Sequence, residues 1–442
     1  MKVSNFRLPR LSLLLFTLVI SVGVYGQEAD NEFSISAKLN TRGELRYGGF
    51  KADSLDNDRI ANFILGSYQL DFDYKRSWLE LHLSPKQAGV WGQAAGGGLS
   101  LAEAWALVKS KNGFFAKIGR QILNYDDERI LGYDDWTMTA PTHDVLKFGY
   151  EGHGHKVHLI LAYNQNADNP DTGNTYYSDG IQPHKSMQTL WYHYDTPSSL
   201  FGGSLLFMNV GMQSTDPEHP KTYYQQLLGT YLLFTPKHWA VTGSFYYQMG
   251  RQEDGIPISA FMGNAKVQFT PNDIFSVYAG YDYLSGDKYF ALPPHGAFGM
   301  VFHDTIRGFN SIYGSHHDFY GAMDFFYLDS FVGNFTPGLQ NLFVGGTVNP
   351  VKKLNINLSY HYFAIATNLD YVPSKSLGHD FEIKASYAFS DFVKLSAGFS
   401  YLMGTETMAI LQQLEETRRM RWGWLMLSIT PKIYTTTWQD KK

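Results

Sequence analysis

From Leu354 to Tyr362 the chain alternates without a break: apolar or aromatic residues take every even position, and Asn, Asn, Ser and His take the odd ones. Strand side chains switch faces with period two, so this spacing predicts a strand with one greasy face and one polar face. The texture recurs. Val157, Leu159, Leu161 and Tyr163 oppose Lys156 and His158; Phe381, Ile383, Ala385 and Tyr387 oppose Glu382, Lys384 and Ser386; Leu79, Leu81 and Leu83 oppose Glu80 and His82. Many such strands with aromatics on the apolar side predict an all-β fold, a transmembrane antiparallel β-barrel. A soluble sandwich would alternate similarly, so the choice rests on other features.

Punctuation supplies the first. Arg76-Ser77, Lys111-Asn112, Gly152 to Gly154, Asp195 to Ser199, Thr235 to His238, Thr270 to Asp273, Asn349 to Lys353 and Ser390-Asp391 read as short turns. Three of these carry Pro near the start, which pre-sets the turn dihedral and cannot donate to a ladder. Longer polar stretches lie between them. In outer-membrane barrels short inner turns and long outer loops alternate strictly, and single-chain bacterial barrels have an even strand number. A first count by period two gives about 19 strands, which is odd. The conflict lies at Asp318 to Leu328, which reads as a strand but would put the Asn349–Lys353 turn on the wrong side. Treating Ser285 to Gly338 as one long outer loop restores parity at about 18 strands, with about 16 as the runner-up.

The N-terminus supplies the second feature. Lys2, Arg7 and Arg10 precede the apolar run Leu11 to Ile20, and Val24-Tyr25-Gly26 offers a cleavage point. Residues 1–26 therefore read as a secretory signal peptide and 27–442 as one barrel without a linker. The apolar run is too short for a spanning helix. With no Cys in the chain, disulfides and thiol chemistry are excluded. The net charge of −5 becomes −8 once the three basic residues of 1–26 are removed, which argues against a nucleic-acid partner. Aromatic girdles at the two membrane interfaces would account for 30 Tyr and 31 Phe. The expected location is the outer membrane of a Gram-negative bacterium.

Gly119 to Gly132 (GRQILNYDDERILG), followed by Asp134-Asp135-Trp136, resembles the alginate-export family of outer-membrane barrels, and Tyr313 to Asp324 is similar to a second pattern of that family. The resemblance implies a barrel of about 18 strands passing an anionic polyuronate through an arginine-lined constriction, with Arg120, Gln121 and Arg129 at the matching positions. Resemblance to general porins implies that the loop from about Ile122 to His143 folds into the lumen. That loop is acidic, through Asp126, Asp127, Glu128, Asp134 and Asp135, and inward charges set selectivity. Arg129 stands beside Asp127 and Glu128, where an internal salt bridge, direct solute contact and a cation site are all open readings. Strict alternation puts Lys117 and Arg120 on opposite faces; a bulge or snorkelling would reconcile them. Lys147 joins the constriction candidates.

Asp71, Asp73, Glu80, Glu103, Lys156, Asp282, Glu382 and Lys384 fall on polar faces and should line the lumen, because charge on the lipid face is costly. Ser315, His316 and His317 are the nearest approach to a catalytic pair. His303, His316, His317 and Asp318 are the nearest to a metal set, but adjacent His316 and His317 would point oppositely on a strand. The expectation is a passive channel for hydrophilic solutes, anionic or neutral saccharides in its specific form. No enzyme activity, metal, nucleotide or cofactor is expected. Outer-membrane lipid surrounds the barrel, and periplasmic secretion partners are left open. A plugged structural or adhesive barrel, or an outer-membrane enzyme, is the alternative.

Overall fold

A computed structural model describes residues 31–48, 60–93, 98–133, 136, 138, 141–166, 176–177, 182–288, 304–315, 317, 319–326, 336–412 and 419–439. The signal-peptide reading of 1–26 lies outside them, as do Asp134, Asp135, His303, His316 and Asp318. The strands are β1 (Asn31–Tyr47), β2 (Ala61–Lys75), β3 (Leu79–Val90), β4 (Ser100–Lys109), β5 (Phe114–Gln121), β6 (His143–Gly152), β7 (His155–Tyr163), β8 (Ser186–Asp195) and β9 (Phe201–Gln213). They continue with β10 (Thr222–Phe234), β11 (Trp239–Arg251), β12 (Pro257–Phe269), β13 (Phe275–Leu284), β14 (Leu339–Val351), β15 (Leu354–Ile365), β16 (Ser376–Ser390) and β17 (Val393–Gly404). The last, β18, is split into Arg419–Ile429 and Lys432–Trp438.

Every neighbouring pair is antiparallel, and both parts of β18 pair with β1, which closes the sheet into an 18-stranded barrel. The split falls at Pro431, opposite a register shift between Ile35 and Ser36. A proline has no N–H for the ladder, so it sits where a bulge removes the need for one. Its carbonyl still accepts from the Ala37 amide at 3.0 Å. The eight turns read from the sequence all fall at one end, and Ser285 to Gly338 is the β13–β14 connection. The described part of Asp318 to Leu328, residues 319–326, is no strand: Tyr320 and Asp324 have positive φ, and Tyr320, Ala322, Met323, Phe325 and Phe326 are buried inside the barrel. Its apolar residues pack a folded-in loop instead of forming wall. One short helix, α1 (Glu406–Leu411), lies in the β17–β18 connection.

The two faces of the wall divide as alternation predicts. Leu45, Leu228, Leu342, Leu358 and Leu425 are more than half exposed on the outer face, a lipid belt. The inner face is unequal around the ring. On β1 to β5 it is polar, carrying Asn40, Arg42, Asp71, Asp73, His82, Lys86, Glu103 and Lys117. On β7 to β12 it carries Ile160, Met187, Leu206, Met208, Leu227, Ala260 and Met262, all fully buried. There both faces are apolar, because the inner one is covered by the inserted loops and not by water.

Replacing Leu358, 54% exposed in the belt, by Arg should cost about 2–4 kcal/mol of barrel stability. Asp at neighbouring Asn357, whose side chain bonds to Thr347 at 2.9 Å on the lumen wall, should cost less. Denaturant titration of vesicle-embedded protein checks the order.

Candidate functional site: a constriction built by two inserted loops

The 122–142 loop leaves β5 through Gly119, whose φ of +121° and close approach to the wall exclude a side chain: a Cβ would stand 2.2 Å from the Ala104 carbonyl oxygen. The loop then turns tightly. Asp126 and Glu128 both take positive φ, and the Glu128 amide donates to the Tyr125 carbonyl at 2.9 Å. From this turn side chains reach across the lumen. Tyr125 Oη lies 3.0 Å from His158 Nδ1 on β7. Asp126 accepts from Trp191 Nε1 of β8 at 3.1 Å and from Ser204 Oγ of β9 at 2.5 Å. Asp127 accepts from Asn264 Nδ2 of β12 at 3.5 Å.

Arg129 is the hub. Its Nη2 stands 2.8 Å from Asp282 Oδ1 on β13, its Nε donates to Asp127 at 3.1 Å, its Nη1 donates to Tyr320 Oη at 3.3 Å, and Phe319 covers its plane at 4.0 Å. Tyr320 and Phe319 belong to the 285–338 connection, so one guanidinium ties both loops to the wall. A parallel bridge between Leu131 and Tyr313 joins the loops again, and Tyr313 Oη lies 2.7 Å from His184 Nδ1. On the far side Trp136 is sandwiched between Arg42 of β1 at 3.5 Å and the ring of His317 at 4.0 Å.

The sequence candidates thus separate. Arg129 is the internal salt bridge, buried and fully engaged. Glu128 holds the loop's own shape, accepting from Asn124 Nδ2 at 2.8 Å and the Tyr133 amide at 3.0 Å. Gln121 is buried, donating weakly to the Gly119 and Val145 carbonyls. Arg120 does not project freely into the pore: it shares strand parity with exposed Phe114 and Ile118, and a bidentate pair with Asp144 directly opposite on β6, at 2.8 and 2.9 Å, holds its fork. Both matching arginines are held by carboxylates, yet each still borders a cavity, Arg120 one beside Lys86 and Glu103 and Arg129 a small one beside Asp282. His317 is paired with Asp324 at 3.0 Å.

The lumen-lining set faces inward. Asp71 accepts from Ser84 and Gln69, Asp73 pairs with His82, and Glu80 pairs with Lys109. Glu103 accepts from Trp105 and the Ile122 amide, Lys156 lies 3.5 Å from Asp195, and Glu382 accepts from Ser359 and the Ala322 amide. Lys147 sits between the Phe115 and Tyr125 rings, and Lys384 borders a small cavity with Lys266 and Tyr278. Sequence reasoning missed Lys38 and Tyr133. An outer cavity of about 600 Å³ (Gln69, Lys86, Glu103, Gln182) and an inner one of about 660 Å³ (Asn40, Lys352, Lys394, Ser428) both reach Tyr133. Lys38 Nζ donates to its hydroxyl at 3.0 Å. No strand pattern marks a loop tyrosine as a residue shared by two cavities.

Burial sets the charge states of the loop. It raises the carboxyls of Asp126 and Asp127 and the Tyr125 phenol above their ordinary values, and it lowers His184 to about 4.

No family model matches the chain, and no curated protein does. Solved structures do. The outer membrane protein OpdK of Pseudomonas aeruginosa aligns with a TM-score of 0.60 at 10% identity, covering 92% of this chain and 99% of that one. OpdK with vanillate aligns at 0.57 and 11%, covering 91% and 99%. OccK2 (OpdF) of P. aeruginosa in complex with glucuronate aligns at 0.58 and 12%, covering 91% and 98%. This chain has their fold. At such identity the likeness carries the outer-membrane barrel and not the alginate-export family. A closed barrel with this lipid belt is an outer-membrane protein.

Two predictions follow from the loop anchors. Arg129→Met leaves Asp282 buried without its cation and should cost about 3–5 kcal/mol, read as a lower denaturation midpoint and new protease cleavage within 122–142. Asp126→Asn should do the reverse. A carboxyl with a raised folded-state value is unfavourable above that value, and the penalty fades as pH falls through it. The amide keeps an acceptor for Trp191 and Ser204, so the variant should be at least as stable at pH 7 and vary less with pH. Equal losses in pH-dependent unfolding curves would refute this.

Proposed function

We propose that the protein is a passive outer-membrane channel for small anionic solutes, carboxylates in particular. The observation that carries this is a set of inward lysines on the inner half of the wall. Lys117, Lys147, Lys266, Lys384 and Lys394 come from β5, β6, β12, β16 and β17 and make no ion pair among the described residues. Lys117 and Lys266 rest on aromatic faces, of Trp105 at 3.6 Å and Tyr278 at 4.6 Å. Several inward acids, by contrast, already hold a cation: Glu80 pairs with Lys109, and Asp282 with Arg129. Rings of uncompensated charge select the opposite sign, and a lysine with no partner can give its hydrogen bonds to a passing carboxylate. Vanillate and glucuronate, named with two of the structural neighbours, each carry one carboxylate. Permeation on this reading needs no catalytic step and no cofactor.

The finer reading suggested by the sequence, export of a polyuronate, shares the charge but asks for a continuous bore. Two cavities meeting at a tyrosine suit a single sugar acid or aromatic acid better than a polymer. Adhesion or plugging would leave the lysines without a role.

In a planar bilayer under a salt gradient, the reversal potential should show anion preference, and millimolar glucuronate or vanillate should reduce the chloride current. Lys266→Glu with Lys384→Glu should move the preference toward cations. A cation-preferring wild type, or no conductance, overturns the proposal. Block by long oligouronates but not by monomers would return the reading to polymer export.

A further inference from the structure

The outer end of β18 carries a feature that permeation does not use. Arg419 and Arg421 are exposed, while the alternating Met420 and Trp422 are fully buried on the lumen side. Both arginines therefore share the lipid-facing row with Leu425 and Leu427. Arg421 is directly opposite Tyr47 of β1 on one side and Tyr401 of β17 on the other, and Arg419 is opposite Met403. Their height follows from the ladder. Ile429 pairs with Val393, next to the half-exposed Phe392 of an inner turn. The ten residue steps from Ile429 to Arg419 cover about 33 Å of strand, or about 25 Å of height at the usual barrel tilt, which is the thickness of the apolar belt. The two guanidiniums therefore stand at the outer rim, level with and just beyond a pair of tyrosines, where lipid headgroups begin.

Other arginines of the strands have acceptors. Arg42 and Arg46 grip Glu44, Arg120 grips Asp144, and Arg251 donates to the Gly255 carbonyl. Arg419 and Arg421 have none among the described residues. An i, i+2 spacing sets their Cα atoms about 7 Å apart on one face, and two planar forks at that spacing match phosphate oxygens. We propose that Arg419 and Arg421 form a binding site for the phosphate-bearing headgroup of an outer-leaflet glycolipid. The acyl chains lie along Leu425, Leu427 and Leu45, and the Tyr47 and Tyr401 rings sit at the boundary between tail and headgroup. The site is anchored from behind by Trp422, whose Nε1 donates to Glu44 at 2.9 Å. It thus fastens lipid to the seam at which the barrel closes.

The test is native mass spectrometry of the purified full-length protein. The probes are bisphosphorylated lipid A, the same glycolipid with its phosphates removed, and free pyrophosphate. Wild type should retain the phosphorylated lipid at least tenfold more strongly than the dephosphorylated one, and should not retain pyrophosphate. Arg419→Gln with Arg421→Gln should erase that preference while leaving conductance and heat-modified gel mobility unchanged. Equal retention of the two lipids by wild type, a preference that survives in the double variant, or pyrophosphate bound as well as the lipid would each overturn the proposal. The first comparison decides even if the variant does not fold.

Discussion

No backbone amide inside hydrocarbon can be left without a partner, and that requirement organises everything else in this molecule. It forces the strands into a closed ring and makes the β1–β18 seam obligatory. It also confines irregular backbone to places where protein or water can satisfy it. Pro431 shows the rule at work: the one break in the last strand falls near the inner end, at a bulge, with the proline carbonyl still engaged by Ala37. The loops obey it too. The described parts of 122–142 and of 285–338 are irregular, but they are enclosed by wall and hydrogen-bonded to it.

Enclosure in turn explains the uneven lumen. A loop that crosses a water-filled bore needs somewhere to bury apolar residues, and β7 to β12 offer Ile160, Met187, Leu206, Met208 and Met262 on their inner face. Leu123, Ile130, Leu131, Phe309 and Tyr313 from the loops fill that side. The hydrophobic core of this barrel is therefore off-centre, and the solute path is pushed toward the polar wall of β1 to β5 and the lysines below it. Arg129 fixes the arrangement. A buried guanidinium is tolerable only because Asp282, Asp127 and Tyr320 satisfy it together, and those partners come from the wall and from both loops.

Much of the wall was legible in the sequence, because period-two alternation and turn residues are local properties. The eight turns, the even strand number and the long β13–β14 connection all follow from residues within a few positions of one another. Charges such as Asp73, Glu80, Glu103 and Lys384 could be assigned to the lumen by the same rule. What escaped depends on contacts distant in the chain. Asp318 to Leu328 alternates well enough to read as strand, and only the folded chain reveals that its Phe325 and Phe326 pack inside the lumen. β9 is apolar on both faces, so alternation cannot tell Leu205, toward lipid, from Leu206, toward the loops. Arg120 and Arg129 sit in a motif that drew attention to the right loop, but their acceptors lie on other strands: Asp144 for one, Asp282 for the other.

The same distinction between local and distant partners bears on the electrostatics. A net charge of −8 after the signal peptide and a loop dense in acids describe composition, not the charges a solute meets. A charge selects ions only to the extent that it is not already neutralised. Glu44 is shared by two arginines, Asp127 and Asp282 share one, and Glu80 holds Lys109. The lysines at 117, 147, 266, 384 and 394 make no ion pair among the described residues, and Lys117 and Lys266 lie against the rings of Trp105 and Tyr278. On the proposed reading, an anion passing within a Debye length of about 8 Å under physiological salt is drawn by those lysines. On that reading selectivity follows from which charges the fold leaves uncompensated, a property of cross-strand register that composition does not record.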